Sequence, residues 1–490
     1  MCYNILADMY CTSEQADEVL YPHCPKEFRA MDYRMQMVAK EIREHAADLI
    51  MLQECEAKAY ARYLAPGLGF DGFGGIYLNK AGLAQEGEAI FYRRSVLTLE
   101  TRHDFSMKDA IPALEEFRGL LKAFPLLATI VRERLTTVAQ VAVFRPAAAP
   151  AVPAAAQTGG GGGAGVGAGA AGGRGEKEED ETSSVRLIVA NTHLYFHPNA
   201  AHIRLMQLVA LVERISGIRG DLIARGLRPA VVLGGDLNSP PFGPVRYLMG
   251  ELIGPDSDLW SNVETFKWGD RFFDEVSAAA AATAAAPAAT AAPTAAPNTS
   301  GGDTPAPSSL SGSTAVTTSS GGDEGDCNGI AVGPANPMTV SSPAARRPFL
   351  PGVPYLRVPL RLQLASGTPP FTNFTPDFTE TLDYVFLEGG GGADSSTSGV
   401  GESGSGGGDG DGGPRGESGS SVKAEMKEGA VLAVGGTVYG GEVGALSAAA
   451  AAAVAPMPEE GPLRATTPGL PSETFPSDHI SVVVDLALST

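Results

Sequence analysis

Hydrophobic residues run through this chain in short blocks, and most blocks close on one or two polar groups. The opening Met1-Cys-Tyr-Asn-Ile-Leu-Ala-Asp8 has the pattern of a buried strand entering a turn, with Asn4 inside it. Residues 9–30, with Tyr21-Pro-His-Cys-Pro25, predict an irregular loop. Met35, Val38, Ile42 and Ala46 then recur at helical spacing behind Asp32 as N-cap. Leu49-Ile-Met-Leu52 is a continuous apolar run of buried-strand type and ends in Gln53-Glu54. Glu88–Tyr92 predicts another strand, residues 109–133 predict helix, and Thr136–Phe144 with Val185–Asn191 predict a hairpin. After Thr192-His193 comes a helix that turns Leu205, Leu208, Val209 and Val212 inward. Ala230–Leu233 predicts a strand leading into Gly234-Gly-Asp-Leu-Asn238, and Leu382–Phe386 a strand carrying Asp383. The last, Ile480–Leu486, follows Pro476-Ser-Asp-His479. Helix and strand alternate, which is the pattern of an α/β protein.

Composition changes the size of the problem. Residues 146–184, 277–345 and 389–470 are dominated by Gly, Ala, Ser, Thr and Pro. Such stretches bury too little apolar surface to offset ordering entropy, so they are expected to be disordered loop inserts. About 300 residues remain, the size of one domain spread over 1–490. The inserts hold 19 acidic and 6 basic residues, so only seven of the chain's 20 net negative charges belong to the rest. That balance excludes sequence-independent nucleic-acid binding through a basic face. The five cysteines, Cys2, Cys11, Cys24, Cys55 and Cys327, have no CxxC spacing and suggest a reducing compartment. No run is long enough for a membrane span. The chain opens inside its first strand, so more strand, and any targeting segment, is expected ahead of Met1.

The polar strand ends suit phosphoester chemistry. Hydrolysis needs an activated water, positive charge on the phosphoryl oxygens, and help for the leaving oxygen. A hard cation such as Mg²⁺ takes oxygen ligands and is held by one or two carboxylates, a part that Glu54 suits. Asp236 and Asn238 lie two apart and share a face of an extended chain. His479 can donate to a phosphoryl oxygen, with Asp478 or Asp383 setting a histidine tautomer. His193 is a second imidazole, for the leaving-group side. Each taken singly has a bland reading: a GDxN run is often a turn, SDH can open a strand, and Tyr195 and Phe196 can be core. The conjunction carries the argument, because five polar strand ends on one core point the same way.

Tyr3–Asp8, Leu52-Gln-Glu54, Thr192-His-Leu194, Gly235-Asp-Leu-Asn-Ser239, Leu382-Asp-Tyr-Val-Phe386 and Pro476-Ser-Asp-His479 together resemble the endonuclease/exonuclease/phosphatase superfamily. Within it they resemble the branch of poly(A) deadenylases, nocturnin, angel proteins and 2′,5′-phosphodiesterases, the last most of all. Val19–Pro25, Asp32-Tyr-Arg34, Asn191–Pro198 with Ile203-Arg204-Leu205, and Phe371–Phe374 carry that closer likeness. Phe196 stands where a Trp is usual and Leu237 where a Phe is usual.

The resemblance implies a four-layer α/β sandwich, two packed mixed β-sheets flanked by helices. It implies Mg²⁺-dependent (or Mn²⁺-dependent) 3′-to-5′ removal of adenylate from 2′,5′-oligoadenylates and poly(A) ends. Partners would be RNA or oligoadenylate, with no DNA and no membrane. Localisation would be mitochondrial, with the cytoplasm as the alternative. Glu54 is then the metal ligand, and Asn4, Asp236 and Asn238 position water and phosphate. His193, Asp383, Asp478 and His479 complete the catalytic set, while Tyr195, Phe196 and Arg204 are substrate-binding candidates. A nocturnin-like phosphomonoesterase and an inactive RNA-binding scaffold are the competing readings.

Overall fold

The computed structural model describes residues 1–82, 84–147, 184–267, 350–388 and 448–488. All of them belong to one compact unit, Met1–Trp268 with Ile330–Thr490; a second, Gly269–Gly329, lies outside the described residues. Most of the three stretches expected to be disordered, and Cys327, also fall outside them.

Two mixed sheets form the framework. The first has the order β1-β2-β4-β3, from β1 (Cys2–Asn4), β2 (Leu49–Glu56), β3 (Phe73–Asn79) and β4 (Glu86–Arg93). β1 runs parallel to β2, and the other pairs are antiparallel. The second contains β5 (Leu97–Arg102), β6 (Phe105–Ser106), β7 (Val138–Pro146), β8 (Val185–His193) and β9 (Arg228–Asp236). β10 (Leu362–Leu364) comes next. The short strands Asn373–Phe374 and Thr379–Glu380, β11 and β12, pair with each other, and β13 (Asp383–Glu388) returns to the second sheet. Its order is β10-β13-β9-β8-β7-β5, with β6 beside β7 and only β8 and β9 parallel.

Strand alternation explains the layers. Outward residues Tyr3, Ile50, Leu52 and Phe91 pack under Met35, Val38 and Ile42 of the helix Met31–His45. On the second sheet Val141, Ile188, Val231 and Phe386 pack under the helix Ala201–Ala224. Inward residues of both sheets, among them Cys2, Met51, Ile90, Phe144, Val189, Val232 and Val385, form the shared core. The result is helix, sheet, sheet, helix, as expected.

Several local expectations need correction. Residues 9–30 are not irregular but a chain of short helical turns, Asp8–Cys11, Ala16–Leu20 and Lys26–Arg29. Asp32 lies in the first turn of its helix rather than at the cap, which is Ala30. The strand expected over 480–486 is split: Val482 bridges Cys2, and β15 (Val484–Leu488) pairs with β14 (Ala448–Val454). Composition also placed the end of the third stretch too late. Residues 448–470 contain β14 and the helix Glu460–Thr466, and Leu463 and Leu470 are buried with Phe371, Phe374 and Ile480. An Ala run paired in a ribbon and two well-placed leucines are enough to order a stretch whose overall composition is poor. Among the described residues no helix is long and apolar enough to cross a membrane.

Candidate active site

Towards one end of the sandwich the inward face changes from apolar to polar. Cys2 and then Asn4 point inward from β1, Val189, Asn191 and His193 from β8, Val232, Gly234 and Asp236 from β9, and Val385 and Asp383 from β13. His193 is the register partner of Asp236, and Asp236 that of Asp383, so three candidates align across three neighbouring strands. A buried amide pair joins the sheets behind them: Gln53 Nε2 donates to Asn191 Oδ1 at 2.7 Å, and Asn191 Nδ2 to the Leu52 carbonyl at 2.9 Å.

Glu54 reaches the site by breaking the alternation. The β2–β4 register shifts between Leu52 and Cys55, and Glu54 takes a φ of 55°. This bulge aims a carboxylate that a regular pleat would send elsewhere. Its Oε2 accepts from the Ala7 amide at 2.8 Å and its Oε1 from Asn4 Nδ2 at 2.9 Å. The same Asn4 Nδ2 donates to Asp236 Oδ2 at 3.0 Å. His193 Nε2 and His479 Nε2 lie 3.4 Å and 3.7 Å from that oxygen, so three nitrogen-bearing side chains converge on it.

The chain after Asp236 turns instead of staying extended, which corrects the shared-face expectation. Asn238 has a φ of 46°, donates its amide to Asp236 Oδ1 at 2.9 Å, and its Nδ2 to the Leu194 carbonyl at 2.9 Å. Gly235 is required here: a Cβ would come within 2.0 Å of the Thr192 carbonyl oxygen on β8.

The two carboxylates left open for a histidine now divide. His479 Nδ1 lies 2.7 Å from Asp383 Oδ2. Asp478 instead accepts from the buried Tyr21 hydroxyl at 2.9 Å. Burial works against a charge on His479, but the Asp383 and Asp236 carboxylates outweigh it and hold its pKa well above the usual imidazole value. His193 goes the other way: burial, with Lys80 and His479 nearby, keeps it neutral. Lys80 Nζ stands 3.2 Å from His193 Nδ1 and 2.5 Å from Glu86 Oε1. An ammonium can only donate, so His193 presents Nδ1 as acceptor and carries its proton on Nε2, facing Asp236. Burial raises Glu54 to about 8, with Glu86 and Asp478 adding to it. Burial likewise raises Asp236 to about 6, with Asp383 adding and His479 opposing.

All eight catalytic and metal candidates, Asn4, Glu54, His193, Asp236, Asn238, Asp383, Asp478 and His479, are buried at this end. Arg204 is buried, and its guanidinium donates to the Tyr195 and His197 carbonyls and to Ser239 Oγ, so it holds the 195–198 segment. Tyr195 is buried against Phe266, while Phe196 is half-buried beside it. Lys80, Glu86, Tyr21 and Thr372 were missed. Thr372 Oγ1 accepts from the Leu382 and Asp383 amides at 2.9 and 3.0 Å and so fixes the start of β13. Each of the four comes from a segment without strong periodicity, and the Val19–Pro25 and Phe371–Phe374 resemblances pointed only to the neighbourhood of two of them, Tyr21 and Thr372.

The sequence profile of the Endonuclease/Exonuclease/phosphatase family matches residues 1–479. The chain belongs to that family. Human 2′,5′-phosphodiesterase 12 is 31% identical over 264 residues, 53% of this chain and 37% of the relative. The mouse protein of the same name is 33% identical over the same span. Protein angel homolog 2 of Danio rerio is 26% identical over 258 residues, 52% of this chain and 36% of its own. The chain thus aligns with little more than a third of the length of these relatives. Among solved structures, ANGEL2, a 2′,3′-cyclic phosphatase, superposes with a TM-score of 0.52 at 16% identity, covering 99% of this chain and 93% of that one. This likeness is one of fold.

Enzymes of the Endonuclease/Exonuclease/phosphatase family are typically dependent on a divalent metal, and the residues here suit a hard one. Asp236, Asp383 and His479 bring potential ligand atoms within 4.8 Å of one another. Asp383 Oδ1 is buried without a hydrogen-bond partner. Glu54 is tied to the same group through Asn4. Carboxylates raised by burial and by one another are short of positive charge, and oxygen donors match Mg²⁺ or Mn²⁺ better than a thiophilic metal.

Proposed function

We propose that the chain is a Mg²⁺-dependent phosphodiesterase that removes AMP from the 3′ ends of 2′,5′- and 3′,5′-linked oligoadenylates. The observation that supports this best is the convergence of Asn4, His193 and His479 on one oxygen of Asp236. Glu54 and its neighbours would hold a divalent cation, which when bound would supply positive charge to the phosphate and lower the pKa of water. Asp236, raised by burial, is more basic than an ordinary carboxylate, which suits it to take a proton from the attacking water. Asn4 fixes the direction of that carboxylate. His479, charged and braced by Asp383, donates to a phosphoryl oxygen. His193, its proton on Nε2 by virtue of Lys80, serves the leaving-group side. Asn238 is the further polar group at the phosphate.

Base preference falls to stacking, because these groups read phosphate and not bases. Phe196, half-buried near His193 and packed on Tyr195 and His197, is the candidate ring. Phe196→Ala should raise KM for oligoadenylates by about tenfold and blunt the preference for adenine, in line with about 1–3 kcal/mol for one stacked base. The deciding assay uses the full chain with Mg²⁺ and short oligomers of each linkage and base, with products resolved by chromatography. AMP released stepwise from the 3′ end is expected. Inorganic phosphate as the main product would make it a phosphomonoesterase. No metal-dependent turnover would leave the RNA-binding scaffold.

A further inference from the structure

Arg34 is among the largest fully buried side chains of the protein, and nothing in the proposed chemistry uses it. It stands in the first turn of the helix Met31–His45, on the face turned to the site. Its Nη1 donates to the carbonyls of Ile5 at 2.9 Å, Leu6 at 2.7 Å and Pro476 at 3.2 Å, and its Nε to the Arg29 carbonyl at 3.0 Å. The only carboxylate near it among the described residues is Asp8, at 4.0 Å. This cation therefore spends itself on the backbone of two segments more than 440 residues apart in sequence.

Both segments carry site residues. Leu6 holds a φ of 54°, a strained conformation for a non-glycine residue that persists only when its surroundings enforce it. That kink aims the Leu6 amide at Asn4 Oδ1 (3.0 Å) and the Ala7 amide at Glu54 Oε2 (2.8 Å). On the other side, Ser477 follows Pro476. Its hydroxyl donates to the Asn4 carbonyl at 2.7 Å and accepts from the His479 amide at 3.1 Å. We propose that Arg34 is a positioning residue that, together with Ser477, sets the Asn4–Glu54 half of the site against the Asp478–His479 half. The kinetic arm of its test rests on the phosphodiesterase reading; the binding arm does not.

Arg34→Met keeps the volume and removes every donor, while Arg34→Lys keeps the charge and some donors. For Arg34→Met we expect kcat to fall about 100-fold with KM within about threefold, the effect of a small misplacement of reacting groups. Mn²⁺ binding followed by calorimetry should weaken about tenfold, as for lost support behind a metal ligand. Arg34→Lys should regain at least tenfold of the lost kcat. A folded Arg34→Met protein with parental kcat and Mn²⁺ affinity, but a lower Tm, would reduce Arg34 to packing and overturn the proposal. Should Arg34→Met fail to fold, Arg34→Lys and Ser477→Ala decide. Both act through the Asn4 turn, so their losses in kcat should combine to less than the product, whereas independent multiplication or unchanged kcat overturns it. If the parent protein turns over no phosphodiester, the phosphodiesterase reading falls, and the Mn²⁺ affinities of the same variants still judge Arg34.

Discussion

Glu54 is held by two hydrogen bonds and pushed by several like charges, and its substitution should separate these effects. Glu54→Gln keeps one acceptor and sets an amide donor against a donor, but it also removes a carboxyl whose ionised form is opposed by burial and by Glu86 and Asp478. The two changes offset, so metal-free stability should move by no more than about 1 kcal/mol, while the rise in Tm on adding Mg²⁺ disappears and turnover falls by orders of magnitude. Near-normal Mg²⁺-dependent turnover in this variant would falsify Glu54 as the ligand. The pH dependence has a definite sign. The Glu54 carboxyl rises from 4.5 to about 8 on folding, so its contribution is complete below 4.5 and is lost as pH climbs through 8. His479, also raised, acts in the same direction above 6.5, whereas Asp236, raised from 3.8 to about 6, completes its loss below neutrality. His193, lowered, loses stability only as pH falls through and below 6.5, so it does not act above neutrality. Metal-free Tm should therefore fall between pH 7 and 8.5, and Mg²⁺ should lift it more at the upper end, where it competes with fewer protons. A Tm that rises over this interval without metal would contradict the charge crowding. Asn4, His193, Asp236, Asp383 and His479 were legible because each sits at an end of a hydrophobic run, the first three closing one and the last two opening one. Lys80 was not, and Tyr21 and Arg34 were marked only by resemblance, because burial and contacts set by tertiary placement leave no periodic trace; helical spacing puts Arg34 on the outer face, and the structure buries it.

Among the strands, the most exacting contact is the approach of β9 to β8. Gly235→Ala places a methyl 2.0 Å from the Thr192 carbonyl oxygen, and backbone must move to relieve it. We expect a loss of about 2–4 kcal/mol, as for other overpacked positions, measured by denaturant unfolding. The shift would carry Asp236 and His193 with it, so kcat should fall even in the folded fraction. Parental stability would show that β8 and β9 can part at no cost. The pleat made most of these strands readable, because alternation over four to nine residues needs no knowledge of the partner. It failed where the backbone departs from the pleat. The bulge at Glu54 and the turn at Asn238 depend on positive φ at residues without a glycine signal. The run 480–486 is β-prone throughout, yet it is divided between a bridge to Cys2 and a ribbon with β14, a choice made by tertiary contacts.

At the level of the whole molecule, the question is which parts of the low-complexity stretches the fold can lose. Loop closure entropy changes slowly with length, so replacing 148–183, 268–349 and 389–447 by short Gly/Ser linkers should leave folding and turnover on short oligoadenylates close to the parent's. Composition alone would let the last cut run on into the helix Glu460–Thr466, and there the structure sets a limit. Leu463 and Leu470 are buried with Phe371, Phe374 and Ile480, and the Leu470 amide donates to the Phe374 carbonyl at 2.8 Å. Phe374 in turn donates its amide to the Asp478 carbonyl at 3.0 Å, and Asn373 bridges His479. A cut from 389 through 465 therefore removes a wall of the cluster under the Asp478–His479 turn, while a cut ending at 447 leaves it whole. Burying a leucine is worth about 1.5–3 kcal/mol, and deletion adds a cavity term, so the longer cut should lower Tm by several degrees at least and reduce kcat with it. The shorter cut should do neither. Made side by side, the two deletions differ by only 18 residues. Equal loss of soluble, active protein from both would mean that 389–447 contributes to the fold, and equal retention would mean that the Leu463–Leu470 cluster does not support the site.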